Sequence, residues 1–298
     1  MRVSSLLLAV VALVLAISLL STWFYPSIQD FMAGNTMWNG IRDFSSEFGA
    51  EDIDSPDELP DLPRGTVLIS IPYLEFGDDE LAEIKQFVND GGTLLLMDDY
   101  GYGNSVLAYL GLSVRFSNKP LLDPLFNYKN QWLPRITDFS PEVKESGINA
   151  VVLNHATTLT NAVASETIAW SSSSSFLDIN ENESWDQDEP RGPFPVAVQL
   201  QLGQGMVAIA SDPSIMINSM VGRDDNYAFM QYLTSHNGEE MSILIDRSHL
   251  TKAPLDVSKI GLRSGREMLS SPYALVGIVA LIFIVVSRYT LGKGETID

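Results

Sequence analysis

Two runs without a charged side chain constrain this chain most. Leu6 to Tyr25 supplies 20 residues rich in Leu, Val, Ala and Ile, and a helix of that length, at about 1.5 Å per residue, reaches across the ~30 Å hydrocarbon core of a bilayer. Trp23, Phe24 and Tyr25 end the run as an aromatic belt before Pro26. A cleaved signal peptide is the rival, since only Arg2 precedes the run, but no small-x-small cleavage site follows, so an uncleaved anchor is expected. The second run, Met268 to Ser287, is also 20 residues long, densest from Tyr273 to Val286 and followed by Arg288. Its alternative is a buried helix of a soluble domain. The expected organisation is a cytosolic N-terminus (1–5), a transmembrane helix (6–25), a central domain (26–240), a juxtamembrane segment (241–267), a second transmembrane helix (268–287) and a cytosolic tail (288–298).

Charge sets the orientation and removes one class of partner. The chain carries 38 acidic against 18 basic side chains, a net charge of −20, and 36 of the acidic residues lie between the two runs. Such a surface repels phosphate backbones, so no nucleic acid is expected. Both ends are short and carry Arg or Lys, which favours cytosolic termini, a two-pass arrangement in the cell membrane and an extracytoplasmic centre. Lys252, Lys259, Arg263 and Arg266 argue the other way. The acidity itself reads as the solvated surface of a protein from a salty environment. With no cysteine, disulfides, thiolate metal sites and cysteine nucleophiles are excluded.

Between the runs, strand and helix patterns alternate. Helices are expected at Asn39–Phe48, at Asp78–Asn89 with Asp78 or Asp79 as cap, at Asn104–Leu110 closed by Gly111, and at Asp224–Thr234. Buried strands are expected at Thr66–Ile71, Thr93–Met97, Ala150–Leu153, Thr167–Ser171, Pro195–Leu200 and Met206–Ser211, the last two forming a hairpin about Gly203–Gly205. That order predicts an α/β domain with a mostly parallel sheet covered on both faces.

Candidate chemistry sits at the strand ends. Asp98 and Asp99 follow one strand and lead through Tyr100-Gly-Tyr-Gly-Asn104 into a helix; Asp212 ends another. In an α/β sheet that edge is where ligands bind, and carboxylates there serve as acid and base or hold a cation. The alternative is that they cap helices and brace turns. The Gly101-x-Gly103 pair lacks the third glycine of a dinucleotide fingerprint, so no nucleotide or redox cofactor is expected. His155, His236 and His249 stand singly. The densest constellation is Asp178, Asn180, Asn182, Ser184, Asp186 and Glu189, which places oxygen ligands at positions 1, 3, 5, 7, 9 and 12 of a calcium-type loop. Glu183 occupies the position normally held by Gly, and a plain acidic surface loop is the alternative. Asn182-Glu-Ser184 is also a glycosylation sequon.

The anchor, Gly91-Gly-Thr-Leu-Leu-Leu-Met-Asp-Asp-Tyr-Gly-Tyr-Gly-Asn104, Leu122-Asp-Pro124, Gly192-Pro-Phe-Pro-Val196, and Gly205-Met-Val-Ala-Ile-Ala-Ser-Asp-Pro-Ser214 with Asn218 together resemble the domain of unknown function 4350 family. The resemblance implies a flavodoxin-like or Rossmann-like doubly wound fold, similar to class I glutamine amidotransferases, flanked by two transmembrane helices. Its motifs carry no assigned reaction; Asp98, Asp99, Asn104, Asp212 and Asn218 are the ligand-binding candidates, and the resemblance suggests neighbouring membrane proteins and a MoxR-type ATPase system as partners. Where amidotransferases carry their nucleophilic cysteine, this chain has Asp99 and Tyr100, so no glutaminase activity is expected. The function expected is a non-catalytic, membrane-anchored ligand- or protein-interaction module, an accessory subunit of a membrane assembly. The alternatives are a carboxylate- or metal-dependent hydrolase and the binding component of a transporter.

Overall fold

The computed structural model describes residues 3–236 and 239–271, together with 273, 276, 280 and 283. Most of the second uncharged run, 268–287, therefore lies outside the described residues. Two compact units emerge, one of residues 26–251 and one of 1–25 with 252–298.

The first unit is built on an eight-stranded sheet of β1 (Glu51–Ile53), β2 (Thr66–Ser70), β3 (Thr93–Met97), β4 (Asp138–Phe139), β5 (Thr167–Trp170), β6 (Pro195–Leu202), β7 (Gly205–Ala210) and β8 (Ser242–Asp246). Their spatial order is β1-β8-β2-β3-β7-β6-β5-β4. The five strands from β1 to β7 are mutually parallel, and β6, β5 and β4 continue the sheet antiparallel. The short runs Thr-Val-Leu-Ile-Ser and Thr-Leu-Leu-Leu-Met lack an exposed residue because helices cover both faces.

Within unit 26–251 the helices are α2 (Arg42–Phe48), α3 (Asp78–Asn89), α4 (Gly103–Leu110), α5 (Pro141–Glu145) and α6 (Asn226–Leu233); α1 (Val3–Phe24) and α7 (Pro254–Ser270) belong to the other unit. Alternation along the strands divides the core in two. Leu68, Leu94, Leu96, Val207 and Ile209 pack with Leu81, Ile84 and Phe87 of α3 and Val106 and Leu107 of α4. Val67, Ile69, Leu95, Met97 and Ala208 pack with Phe44 of α2, Val143 of α5 and Phe229 and Leu233 of α6.

Several elements depart from the sequence pattern for identifiable reasons. The helix expected from Asn39 starts at Arg42, because Gly40 and Ile41 close a turn back onto Met37 and Met32. Helix α3 has the expected bounds but is capped by Gly77, whose N–H donates to the Glu80 carboxylate at 2.7 Å. The hairpin turn is Gly203-Gln204, with Leu202 opposite Gly205; Gly203 sits at φ 60°, a conformation other residues adopt at a cost. Val151–Val152 pairs with Arg135–Ile136 in a separate two-stranded sheet rather than joining the main one. Residues 242–246, expected in a juxtamembrane segment, form β8 and fill the position between β1 and β2.

In the other unit α1 carries no charged side chain over its 22 residues. The side chains of residues 3–5 and 8 are outside the described set, and among the described residues no helix is long and apolar enough to cross a membrane.

Candidate functional site

Strand β3 leaves the sheet toward α4 on one face, while its neighbour β7 leaves toward Pro213–Met216 and α6, whose apolar residues belong to the opposite core cluster. Adjacent parallel strands whose connections part to opposite faces open a crevice at their carboxyl ends. Asp98 and Asp99 stand on one side of it and Asp212 on the other.

The three carboxyls have different employment. Asp98 is fully buried and accepts the main-chain N–H groups of Asp99 and Gly101 through Oδ1, at 2.8 and 2.7 Å, and that of Gly103 through Oδ2 at 2.7 Å. It braces the turn and first residues of α4, and glycine is required there: a Cβ on Gly103 would lie 2.6 Å from Asp98 Oδ2, and one on Gly101 2.7 Å from Oδ1. Asp212, also buried, accepts from the N–H of Asn154 at 2.5 Å and of Ser214 at 2.7 Å. Asp99 accepts the N–H of Tyr100 at 2.7 Å, and its other oxygen lies 3.4 Å from the hydroxyl of Tyr73.

Burial raises the proton affinity of all three. Asp98 is pushed up to about 6, with the N–H groups of Gly103 and Gly101 opposing and the Asp99 charge adding. Asp212 is pushed up to about 8 by burial, opposed by the Asn154 N–H and reinforced by Asp99. Asp99 is raised by burial against its hydrogen bonds from main chain and Tyr73, and the nearby His155 lowers it. Burial and the surrounding carboxylates also raise the Tyr73 and Tyr100 hydroxyls, which therefore stay protonated as donors. Asp212 is raised further than Asp98.

Three further features border this edge. His155 is exposed, in the left-handed region at φ 59°, stacked on Trp132 with ring centroids 4.6 Å apart. Tyr100 is 42% exposed, and its hydroxyl lies 3.4 Å from the Ala156 carbonyl. The hydroxyls of Ser70, at the end of β2, and Ser211, at the end of β7, are buried without a hydrogen-bond partner. Ser211 and Asp212 line a cavity of about 10 Å³ walled by Phe139, Val151, Leu153 and Phe229, room for about one water and no substrate.

The other sequence candidates go elsewhere. Asn104 pairs both amide groups with the main chain of Phe116, at 3.0 and 2.9 Å. Asn218 donates to the carbonyls of Asn35 and Met37 and accepts from Asp43 at the start of α2. In the loop from Asp178 to Glu189, Asp178 accepts the N–H groups of Asn182 and Glu183, and Glu189 accepts those of Ile179, Asn180 and Asp186. The amides of Asn180 and Asn182 both donate to Asp186. Ser184 donates its N–H to the Asn182 side chain. Glu183 takes φ 62°, the turn that Gly normally supplies at this position. The donor types and backbone fit calcium; the side chains, hydrogen-bonded to one another, do not converge as ligands, and among the described residues no group of three His, Asp or Glu is placed to hold a metal.

Sequence reasoning passed over Tyr73 and the buried cluster at the end of β8. There His249 lies between two carboxylates, Nδ1 at 2.7 Å from Asp246 and Nε2 at 3.4 Å from Glu80, with its ring stacked on Phe76. Both ring nitrogens are engaged, so the cluster ties β8 to α3 and has no free base. Its signal was the Asp246-x-x-His249 spacing at the end of an apolar run.

The family model described as Domain of unknown function (DUF4350) matches residues 33–234, about two thirds of the chain. The chain belongs to this family. The match runs from the loop before α2 to the end of α6, so β3, β7 and the crevice between them lie inside the DUF4350 region, while β8 lies beyond it. No curated protein sequence matches the chain. Among solved structures it is similar to the mmIFT52 N-terminal domain, at 15% identity and TM-score 0.45 over 63% of this chain and 84% of that one. It is also similar to a beta-galactosidase from Bacillus circulans sp. alkalophilus, at 12% identity and TM-score 0.35, over 56% of this chain and 22% of that one. A third is the cytoplasmic protein STM3548 from Salmonella typhimurium, at 18% identity and TM-score 0.27, over 60% and 75%.

Proposed function

We propose that this DUF4350 protein is a membrane-anchored, non-catalytic ligand- or protein-interaction module, an accessory subunit of a membrane assembly that includes other membrane proteins and a MoxR-type ATPase system. The observation that carries the reading is the employment of Asp98 and Asp212. Each accepts main-chain N–H groups that build the crevice, and the hydroxyl bonded to Asp212 is that of Ser214, whose own N–H the same carboxyl holds in the turn. That leaves Asp99, Tyr73 and Tyr100 to meet a ligand at a shallow edge, beside a cavity that holds about one water. A doubly wound, flavodoxin-like and amidotransferase-like ancestry agrees with the parallel half of the sheet, and the missing cysteine removes the amidotransferase reaction. The uncharged runs 6–25 and 268–287 support two membrane spans, and Arg2, Arg288 and Lys293 at the short ends support cytosolic termini. The loop from Asp178 to Glu189 holds calcium in this reading, as a structural staple.

One observation favours a second reading. Two neighbouring carboxyls with unequal proton affinities are what an acid–base hydrolase uses, and Asp212 and Asp99 form such a pair.

The deciding experiment isolates the full-length protein from native membranes after mild cross-linking, with complementation by Asp99→Asn and Asp212→Asn variants that stay folded. A reproducible set of membrane proteins, with function surviving in Asp212→Asn, is expected. A protein that isolates alone, together with loss of function in both variants, overturns the reading in favour of the hydrolase.

A further inference from the structure

The charge of the chain is divided sharply. Residues 26–251 carry 34 acidic and 11 basic side chains, a net −23, whereas residues 252–270 carry two acidic and four basic ones, a net +2. The basic residues are Lys252, just before α7, and Lys259, Arg263 and Arg266 on it. Helix α7 also exposes Val257, Ile260 and Met268, at 52, 52 and 67%, so basic and apolar side chains are presented on the same helix. Lys259 lies 3.9 Å from Asp256 on its own helix, and Arg263 and Arg266 are exposed.

A contact within this unit sets the level of α7. The guanidinium of Arg266 lies over the ring of Trp23, 5.7 Å from its centroid, within cation–π range. Trp23 belongs to the aromatic belt that ends the first uncharged run, and tryptophans of such belts sit among lipid headgroups. In the membrane-anchored reading this contact puts the last turn of α7 at headgroup depth.

Resting on the membrane-anchored reading above, we propose that α7 binds the anionic lipid surface, with Lys252, Lys259, Arg263 and Arg266 meeting headgroup phosphates and Val257, Ile260 and Met268 entering the acyl boundary. The partner follows from charge complementarity: the acidic unit is repelled by an anionic surface, and the basic helix holds the chain against that repulsion. Each Lys or Arg near such a surface strengthens binding about fivefold.

The test uses the full-length protein in vesicles of phosphatidylcholine alone and of phosphatidylcholine with about one third phosphatidylglycerol, reading hydrogen exchange over 254–270. Exchange is expected to slow in the anionic vesicles only, to recover in high salt, and to lose about twenty-five-fold of its protection in Lys259→Gln/Arg263→Gln. Equal exchange in both vesicles overturns the proposal, as does protection by soluble glycerol phosphate without anionic lipid. Carbonate washing of the same vesicles separates the two readings. Retention without lipid-dependent protection removes this proposal and leaves the anchor standing; release with protection intact at neutral pH upholds it and removes the anchor.

Discussion

Asp212 holds the main chain of Asn154 through a 2.5 Å hydrogen bond that crosses 58 residues of sequence, so the loop presenting His155 is fixed by a carboxyl buried at the end of β7. The group ionises near 3.8 in the unfolded chain and near 8 in the folded one, so unfolding releases a proton between those values and the stabilisation it represents is lost as pH rises from about 4 to about 8. The unit 26–251 should lose stability over that window in urea titrations. Asp212→Asn, neutral throughout, should cost about 1–3 kcal/mol near pH 4 for a poorly matched donor, with the deficit shrinking toward pH 8. A deficit independent of pH would show that Asp212 is ionised in the fold.

Asp98 closes the turn into α4 with three main-chain N–H bonds. Asp98→Ala should cost about 1–3 kcal/mol by leaving those donors unmet, and Asp98→Asn less. Because its folded value is raised to about 6, its pH-dependent loss should fall between about 4 and 6. Amide exchange should speed up at Gly101 and Gly103 before the rest of the unit; unchanged exchange there would remove the capping role.

Replacing His249 takes the ring partner from Asp246, which keeps its bonds from Ser248, while Glu80 keeps the Gly77 N–H. His249→Ala should destabilise the unit by about 1–3 kcal/mol, since one oxygen of the buried Asp246 carboxyl loses its partner. Added to Asp246→Asn, the same change should cost far less than the sum of the two. An additive double-mutant cycle would show that the 2.7 Å contact contributes nothing of its own.

The loop from Asp178 to Glu189 should take up calcium by turning the amides of Asn180 and Asn182 away from Asp186. At free calcium ten times the dissociation constant the gain is about 1.4 kcal/mol, a rise of a few degrees in Tm, with a smaller one for magnesium. Glu189→Gln should abolish it. Identical midpoints in calcium, magnesium and chelator would leave the loop as a turn held by its own hydrogen bonds.

Protease added to intact cells or spheroplasts should cut within residues 27–267 if both termini are cytosolic. Full protection there, with a reporter fused at residue 150 active in the cytosol, would reverse the orientation.

What the sequence revealed followed the strength of local pattern. Helix α3 was legible to the residue because Leu81, Ile84, Phe87 and Val88 mark one face, and β3 because five apolar or β-branched residues end abruptly at Asp98. Strand β8 was passed over: Ser-Ile-Leu-Ile-Asp is equally apolar, but it follows Glu239 and Glu240 and stands close to the basic run leading to 268, so neighbouring charge drew it into the wrong segment. The strand-end carboxylates were legible as positions and ambiguous as roles. Their roles depend on N–H groups at Asn154, Gly101 and Gly103, and only the fold brings Asn154 to Asp212. Asn104 and Asn218 were grouped with them by family pattern, and each serves a loop.

The placement of β8 between β1 and β2 governs how this protein is made. With 242–246 unsynthesised, β1 has no neighbour and β2 has one open edge, so the sheet has a gap where its first strands should join. Nearly two hundred residues must wait for a strand that arrives after them, and such long-range closure is slow. A chain terminated at 240 keeps the pairing from β2 to β4 but leaves β1 without a partner strand, so it forms no smaller copy of the same sheet.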